Sequence, residues 1–276
     1  MRSAAKTRSE RRRFLVNSDP TITISVLLLS AIGVVLVYAA TRDWFAANNQ
    51  DPEYYLKRQI VNVIIGLALA YGTTLVDYRL LRAYTPVLWG IGVLGLVAVL
   101  IPGLGSVVNG ARSWISLPGG FQIQPAELAK LTIIVGMALI LSEREAGDRG
   151  PSDRQVIYAL GVAALPILLI VLQPDLGTVL IISAAVVSIV AISGARLRWV
   201  IGLLVTGVTG AYLAVASGAV NDYQLNRLRS FIDPYADPQA TGYQLRQARI
   251  TIGSGGFFGK GLFDGPQTNG RFVPEQ

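Results

Sequence analysis

Apolar runs long enough to cross a lipid bilayer recur along this chain, with short polar links between them. A helical span needs about 20 mostly apolar residues. That measure predicts seven, at roughly 20–41, 58–76, 84–103, 126–142, 156–172, 176–194 and 199–217. Lipid offers no partner for backbone N–H and C=O groups, so spans of this kind must be helices. The pattern therefore predicts an all-α polytopic membrane protein. Beyond 217 the chain turns polar and rich in Gly and Pro, and Gly242 to Ile252 suits a short helix lying on a membrane surface. The expected organisation is a basic tail at 1–19, a seven-helix membrane domain at 20–217 and an extracytoplasmic segment at 218–276. The links before 218 are too short to hold a soluble domain.

Charge placement sets the expected orientation. Arg2, Lys6, Arg8, Arg11, Arg12 and Arg13 precede the first apolar run. Beside a span, such a tail sets topology rather than binding nucleic acid. With the N-terminus inside, the inner links hold Arg79, Arg82, Arg144, Arg149, Arg154, Arg196 and Arg198. The outer ones hold only Arg42, Lys57, Arg58 and Arg112. Excess Lys and Arg on the inner side makes the N-terminus cytoplasmic. The first apolar run continues to about Ala40 without a convincing cleavage site, so it reads as a retained helix rather than a signal peptide.

Composition agrees and narrows the chemistry. Hydrophobic residues make up 52% of the 276 and charged ones 15%, against about 25% charged in ordinary soluble domains. There is no Cys and no His. Disulfides, thiolate metal sites, cysteine nucleophiles and imidazole acid–base chemistry are thereby excluded. Any catalysis rests on Asp, Glu, Lys, Arg, Tyr or hydroxyls.

Three polar constellations interrupt the apolar pattern. The first runs Asn109-Gly110-Ala111-Arg112-Ser113-Trp114-Ile115, then Gln124-Pro125-Ala126-Glu127-Leu128-Ala129-Lys130. Pro125 suits a first helical turn, which puts Glu127 and Lys130 three apart on one face. Charges just inside a span are costly unless paired or facing a polar cavity. The pair is therefore a structural ion pair or part of a site, and Arg112 and Trp114 are interfacial anchors or part of the same site. The second constellation is Gln173-Pro174-Asp175-Leu176-Gly177-Thr178. Asp175 either caps the following helix or joins Glu127 and Lys130 around one outward-facing cavity.

The third is Gly242-Tyr243-Gln244 with Gly253-Ser254-Gly255-Gly256-Phe257-Phe258-Gly259-Lys260-Gly261. It is not a nucleotide loop. Ser254 stands where a P-loop needs its first Gly, and Gly261 stands where it needs Ser or Thr. Phe258 likewise breaks the dinucleotide pattern. A loop approaching a diphosphate or a lipid head group stays open.

Together these stretches resemble the RodA/FtsW family of peptidoglycan polymerases, the shape, elongation, division and sporulation proteins. The resemblance is carried by GARSWI at 110–115, QPAELAK at 124–130, QPDLGT at 173–178, DPYADPQATGYQLRQARITIGSGGFFGKG at 233–261 and FVPEQ at 272–276, with Asp19-Pro20-Thr21 before the first span. It covers essentially the whole chain, and the Gly-rich segment looks more like the RodA branch than the FtsW branch.

The resemblance implies a ten-span glycosyltransferase of the bacterial cytoplasmic (plasma) membrane. Such an enzyme polymerises lipid II, an undecaprenyl-diphosphate-linked disaccharide, into glycan strands during cell elongation and cell-shape maintenance. It implies a class B penicillin-binding protein as partner, a functional Trp at Trp114 and polar cavity residues at Glu127, Lys130 and Asp175. It also implies truncation. The family's proposed catalytic Asp lies in a His-Thr-Asp-Phe segment that would begin just after Gln276, and three further spans would follow. On this reading the catalytic residue of the chain is unknown, and the 276-residue form is expected to make no glycan alone.

The implied reaction joins a lipid-diphosphate donor to the 4-hydroxyl of a second lipid-linked disaccharide. A carboxylate would act as base. Arg112, Lys130 or a divalent metal such as Mg²⁺ would stabilise the departing diphosphate, with Glu127 and Asp175 orienting them. A lipid II flippase and a non-catalytic scaffold for the penicillin-binding protein are the competing readings.

Overall fold

The structure, a computed structural model, describes residues 19–108, 110–143, 150–218 and 241–266, with isolated positions at 220, 225, 226, 229, 233, 235, 270 and 272. The basic tail before Asp19, Asn109, Arg144, Arg149 and the ending 273–276 lie outside the described residues.

Helices stand at all seven expected places: α1 (Pro20–Ala47), α2 (Tyr54–Thr74), α3 (Tyr78–Leu100), α4 (Pro125–Ser142), α5 (Asp153–Val171), α6 (Leu176–Ile192) and α7 (Leu197–Ala216). A further helix, α8 (Thr241–Gly255), covers the stretch Gly242 to Ile252 expected to be helical. Among the described residues five helices are long and apolar enough to cross a membrane: α1, α3, α4, α5 and α7. Helix α6 is shorter at 17 residues. Helix α2 has the length, but Lys57, Arg58, Gln59 and Asn62 make its first turns polar.

Local signals explain the helix ends. Asp19 caps α1, its carboxylate accepting from Thr21 N at 2.8 Å with Pro20 in the first turn. Ser152 opens α5 with a capping box to Gln155.

The chain divides into two compact units, residues 78–220 and residues 1–77 with 221–276. In the first, α4 is the central helix, packed on α3, α5 and α6. Its buried residues Ala126, Ala129, Ile133 and Met137 recur every three or four positions, so one face carries the core. Val156, Ala159, Ala163 and Ile170 of α5 and Ile182, Val186 and Val190 of α6 meet that face, with Leu96 from α3.

Small residues set the α3–α4 spacing. A Cβ on Gly95 would come 3.0 Å from Pro125 Cβ, and one on Gly92 3.2 Å from Thr132 Oγ1. Without a hydrophobic drive between helices in lipid, such close backbone approach is what lets them associate.

One element departs from the all-α expectation. Between α3 and α4 the chain forms a three-stranded antiparallel sheet, β1 (Gly105–Val108), β2 (Ala111–Ser116) and β3 (Gln122–Ile123), in the order β1-β2-β3. Val108 pairs with Ala111 across a two-residue link. The link is Asn109-Gly110, a strong hairpin signal, and Gly110 takes φ +82. Seven apolar runs dominate the sequence pattern and hide so short a sheet.

The second unit contains α1, α2 and α8. Helices α1 and α2 pack as a pair, with an aromatic cluster where they join. Trp44 meets Phe45 edge-on at 4.9 Å, and Phe45 stacks on Tyr54 at 6.0 Å. Lys57 Nζ donates to Asp51 at 2.9 Å, which holds the Asp51 carboxyl below its ordinary range.

Candidate functional site

The sheet lies at one end of the 78–220 bundle, against α3 and α4, and every sequence-predicted site residue stands on or beside it. Arg112 and Trp114 are on β2 with buried Ser113 between them. A β-bulge there pairs Trp114 with Ser106 and Arg112 with the next residue, Val107, so the two side chains leave opposite faces of the strand. The strand is fixed by its neighbour: Ser106 Oγ donates to the Trp114 carbonyl at 3.1 Å, and Ser116 Oγ to Ser106 Oγ at 3.3 Å. A Cβ on Gly105 would come 2.8 Å from Arg112 Cγ and 2.0 Å from the Val99 carbonyl. Gly105 therefore lets the Arg112 stem cross the strand while β1 presses against the end of α3. The side chain of half-buried Arg112 makes no ion pair or hydrogen bond among the described residues.

Glu127 and Lys130 form the expected pair one turn into α4, with Lys130 Nζ 2.7 Å from Glu127 Oε1. The partners are unequal: the Glu127 side chain is 61% exposed and that of Lys130 21%.

Asp175 is the N-cap of α6. Its carboxylate accepts from Thr178 N at 3.1 Å, from Thr178 Oγ1 at 2.8 Å and from Gln124 Nε2 at 3.0 Å. The last bond ties the start of α6 to the start of α4, since Gln124 is the N-cap of α4. Asp175 thus reaches the helix that carries Glu127 and Lys130 through Gln124, without a direct bond to either. Arg112 and Trp114 stay on the sheet.

Two glutamines complete the arrangement and were not singled out in the sequence. Gln124 bridges to Asp175. Gln173, 1% exposed, donates from Nε2 to the Leu96 carbonyl of α3 at 3.1 Å. A signal for both existed: each stands before a Pro at the mouth of a helix, in Gln124-Pro125 and Gln173-Pro174.

The donor set does not suit a divalent metal. Among the described residues no three acidic side chains gather. Glu127 is held by Lys130, and the Asp175 oxygens already accept three hydrogen bonds.

The opposite end of the bundle is tied by ion pairs. Arg82 meets Glu143 at 2.8 Å. Asp153, opening α5, accepts from Arg196 at 2.9 Å, from Arg198 and from Trp199 Nε1 at 2.7 Å at the start of α7.

The family model of the cell cycle proteins FtsW, RodA and SpoVE matches residues 20–276. The chain belongs to that family. Among curated FtsW/RodA/SpoVE proteins it is 34% identical to a probable peptidoglycan glycosyltransferase FtsW of Trichlorobacter lovleyi, over 92% of this chain and 65% of the relative. It is 36% identical to stage V sporulation protein E of Bacillus subtilis, over 88% of this chain and 65% of that protein. The chain therefore spans about two thirds of the length of these relatives.

Similar solved structures include two that bear on the fold. One chain comes from a peptidoglycan synthase complex described as coordinating polymerization and crosslinking. It is 32% identical, with a TM-score of 0.60 over 84% of this chain and 66% of that one. The other is a point mutant of the Rod shape determining protein RodA of Thermus thermophilus. At 22% identity and a TM-score of 0.56, over 93% of this chain and 94% of that one, it shares the fold. The chain is a multi-pass membrane protein of the FtsW/RodA/SpoVE family.

Proposed function

We propose that this chain forms part of a peptidoglycan glycosyltransferase of the bacterial cytoplasmic membrane, which polymerises lipid II into glycan strands at the sheet end of its bundle. The observation that carries the proposal is the gathering of Arg112, Trp114, Glu127, Lys130 and Asp175 at that single end. Family membership and the names of the relatives support it.

In the reaction, the 4-hydroxyl oxygen of one lipid-linked disaccharide attacks the anomeric carbon of another. The bond from that carbon to the diphosphate oxygen breaks, the lipid diphosphate leaves and the hydroxyl proton passes to a base. Negative charge grows on the diphosphate as the bond breaks, and cations fixed beforehand are the groups that stabilise it. Arg112 suits this role. Its guanidinium is not neutralised by a neighbour among the described residues, and its planar fork matches phosphate oxygens. Lys130 adds a second cation, oriented by Glu127.

Glu127 and Asp175 serve as positioning residues, because both carboxylates are already engaged. The base assignment stays with the Asp that the resemblance places in the His-Thr-Asp-Phe segment. A class B penicillin-binding protein is the proposed partner, supported by the likeness to a peptidoglycan synthase complex. The sheet end is proposed to face outward.

The test is polymer formation from lipid II by the purified intact protein. Arg112→Ala should lower the rate by about 10²-fold, the scale of removing one donor to a developing anion, with Arg112→Lys between the two. A rate unchanged in Arg112→Ala removes the cation role. Movement of lipid II across the bilayer without polymer would favour the flippase instead.

A further inference from the structure

The loop after α8 carries the most exposed large apolar side chains among the described residues. Phe257 is 97% exposed and Phe258 95%, the two rings meeting edge-on at 5.3 Å. Ile252 and Leu262 flank them, also exposed. Water is a poor solvent for such a patch, and a patch like this marks a partner or a membrane.

The same unit shows where the loop lies. Phe263 packs edge-on against Tyr38 at 5.8 Å, and the Arg42 guanidinium sits over its ring at 5.0 Å. Arg42 is the first charged residue after the apolar run of α1. Some 20 helical residues cover about 30 Å, the thickness of the hydrocarbon core, so Tyr38 and Arg42 mark its far boundary. Trp44, Phe45, Tyr54 and Tyr55 cluster just beyond them, as aromatic residues do at a membrane interface.

Phe258 is five residues from Phe263, and an extended chain of that length reaches at most about 18 Å. The phenylalanine pair is therefore within reach of the head-group region. Arg249 and Lys260 bracket it and complement anionic lipid. The backbone turns sharply on both sides, with Gly256 at φ +58 and Gly259 at φ +76. Such turns present two adjacent rings at the tip of the loop.

We infer that Phe257 and Phe258 form a wedge that inserts into the leaflet at the Arg42 end of α1 and holds the segment after α8 on the lipid surface. The occupant of this apolar patch is lipid, not protein. The inference rests on α1 crossing the membrane and does not depend on the polymerase reading.

The protein has no Cys, so single cysteines report alone. Phe257→Cys, Phe258→Cys and Ile252→Cys would each be labelled with an environment-sensitive fluorophore in the intact protein. The protein would be held in nanodiscs of phosphatidylethanolamine and phosphatidylglycerol. Exposed Glu53→Cys in the α1–α2 link is the control. The wedge requires blue-shifted emission at 257 and 258, and quenching by lipid-borne spin labels several-fold stronger than at the control. Quenching by aqueous iodide equal to the control places the loop in water and overturns the inference. Protection from both quenchers places protein over the patch and overturns it equally. If one cysteine variant fails to fold, the other two still decide. Polymerisation is not read in this experiment, so its failure leaves the proposed function untouched.

Discussion

A carboxylate at a helix start either caps the helix or serves a ligand, and Asp175 shows what decides. Among the described residues its carboxylate accepts from Thr178 and Gln124, so its loss removes a cap and the tie between α4 and α6. Asp175→Ala should destabilise by about 1–2 kcal/mol and lower the melting temperature in detergent. Asp175→Asn should cost less, because Oδ1 can still accept from Thr178 N; a melting temperature unchanged in Asp175→Ala would remove the cap. The Glu127–Lys130 pair was legible in the sequence from its spacing alone, but not its asymmetry. From sequence, each partner strands the other equally. In the structure Lys130 is the more buried, so Glu127→Ala leaves a partly buried ammonium without its partner, whereas Lys130→Ala leaves a carboxylate that is mostly exposed. Lys130→Ala should therefore cost about 1 kcal/mol or less and Glu127→Ala more, read by the same melts. The reverse order would mean that Glu127, not Lys130, depends on the pair.

At the scale of elements, the helices were legible because lipid demands long apolar runs and because caps such as Asp19 and Ser152 mark their starts. What was not legible follows from the same physics. The sheet at Gly105–Ile123 is held by short-range pairing, with β1 and β2 joined by a two-residue link, a signal much weaker than a 20-residue apolar run. Gln173 was overlooked because a buried amide reaching the Leu96 carbonyl leaves no periodic trace. The α3–α4 seam is a third case, since apolar spacing marks a buried face but not how close two backbones come. Gly92→Val and Gly95→Val test that closeness. Each puts side-chain atoms where Thr132, Ala129 or Pro125 already stand and should cost about 1–3 kcal/mol. Gly90→Val is the control, since a Cβ there meets nothing within 4 Å. Equal melting temperatures for all three would mean that the seam is loose.

For the whole molecule, the decisive property is which side of the membrane each end of the 78–220 bundle faces. Helices α1 and α7 bury none of their apolar windows inside the protein, while α4 buries 44%. Apolar helices left uncovered in this way are at home in lipid. The charges at the two ends differ: the end opposite the sheet carries Arg82, Arg154, Arg196 and Arg198, while the sheet end carries Arg112 and Lys130. Positive charge is retained on the cytoplasmic side, which supports the proposed outward-facing sheet, where lipid-linked sugars would be joined. Two cysteines in the Cys-free chain test this. Ser116→Cys, exposed on β2, and Arg154→Cys, exposed near the start of α5, carry opposite expectations. In intact cells a membrane-impermeant maleimide should label Ser116→Cys and spare Arg154→Cys until the membrane is broken. The opposite pattern would put Arg112, Glu127, Lys130 and Asp175 on the cytoplasmic side, where polymerisation of an externally presented substrate at this site is impossible.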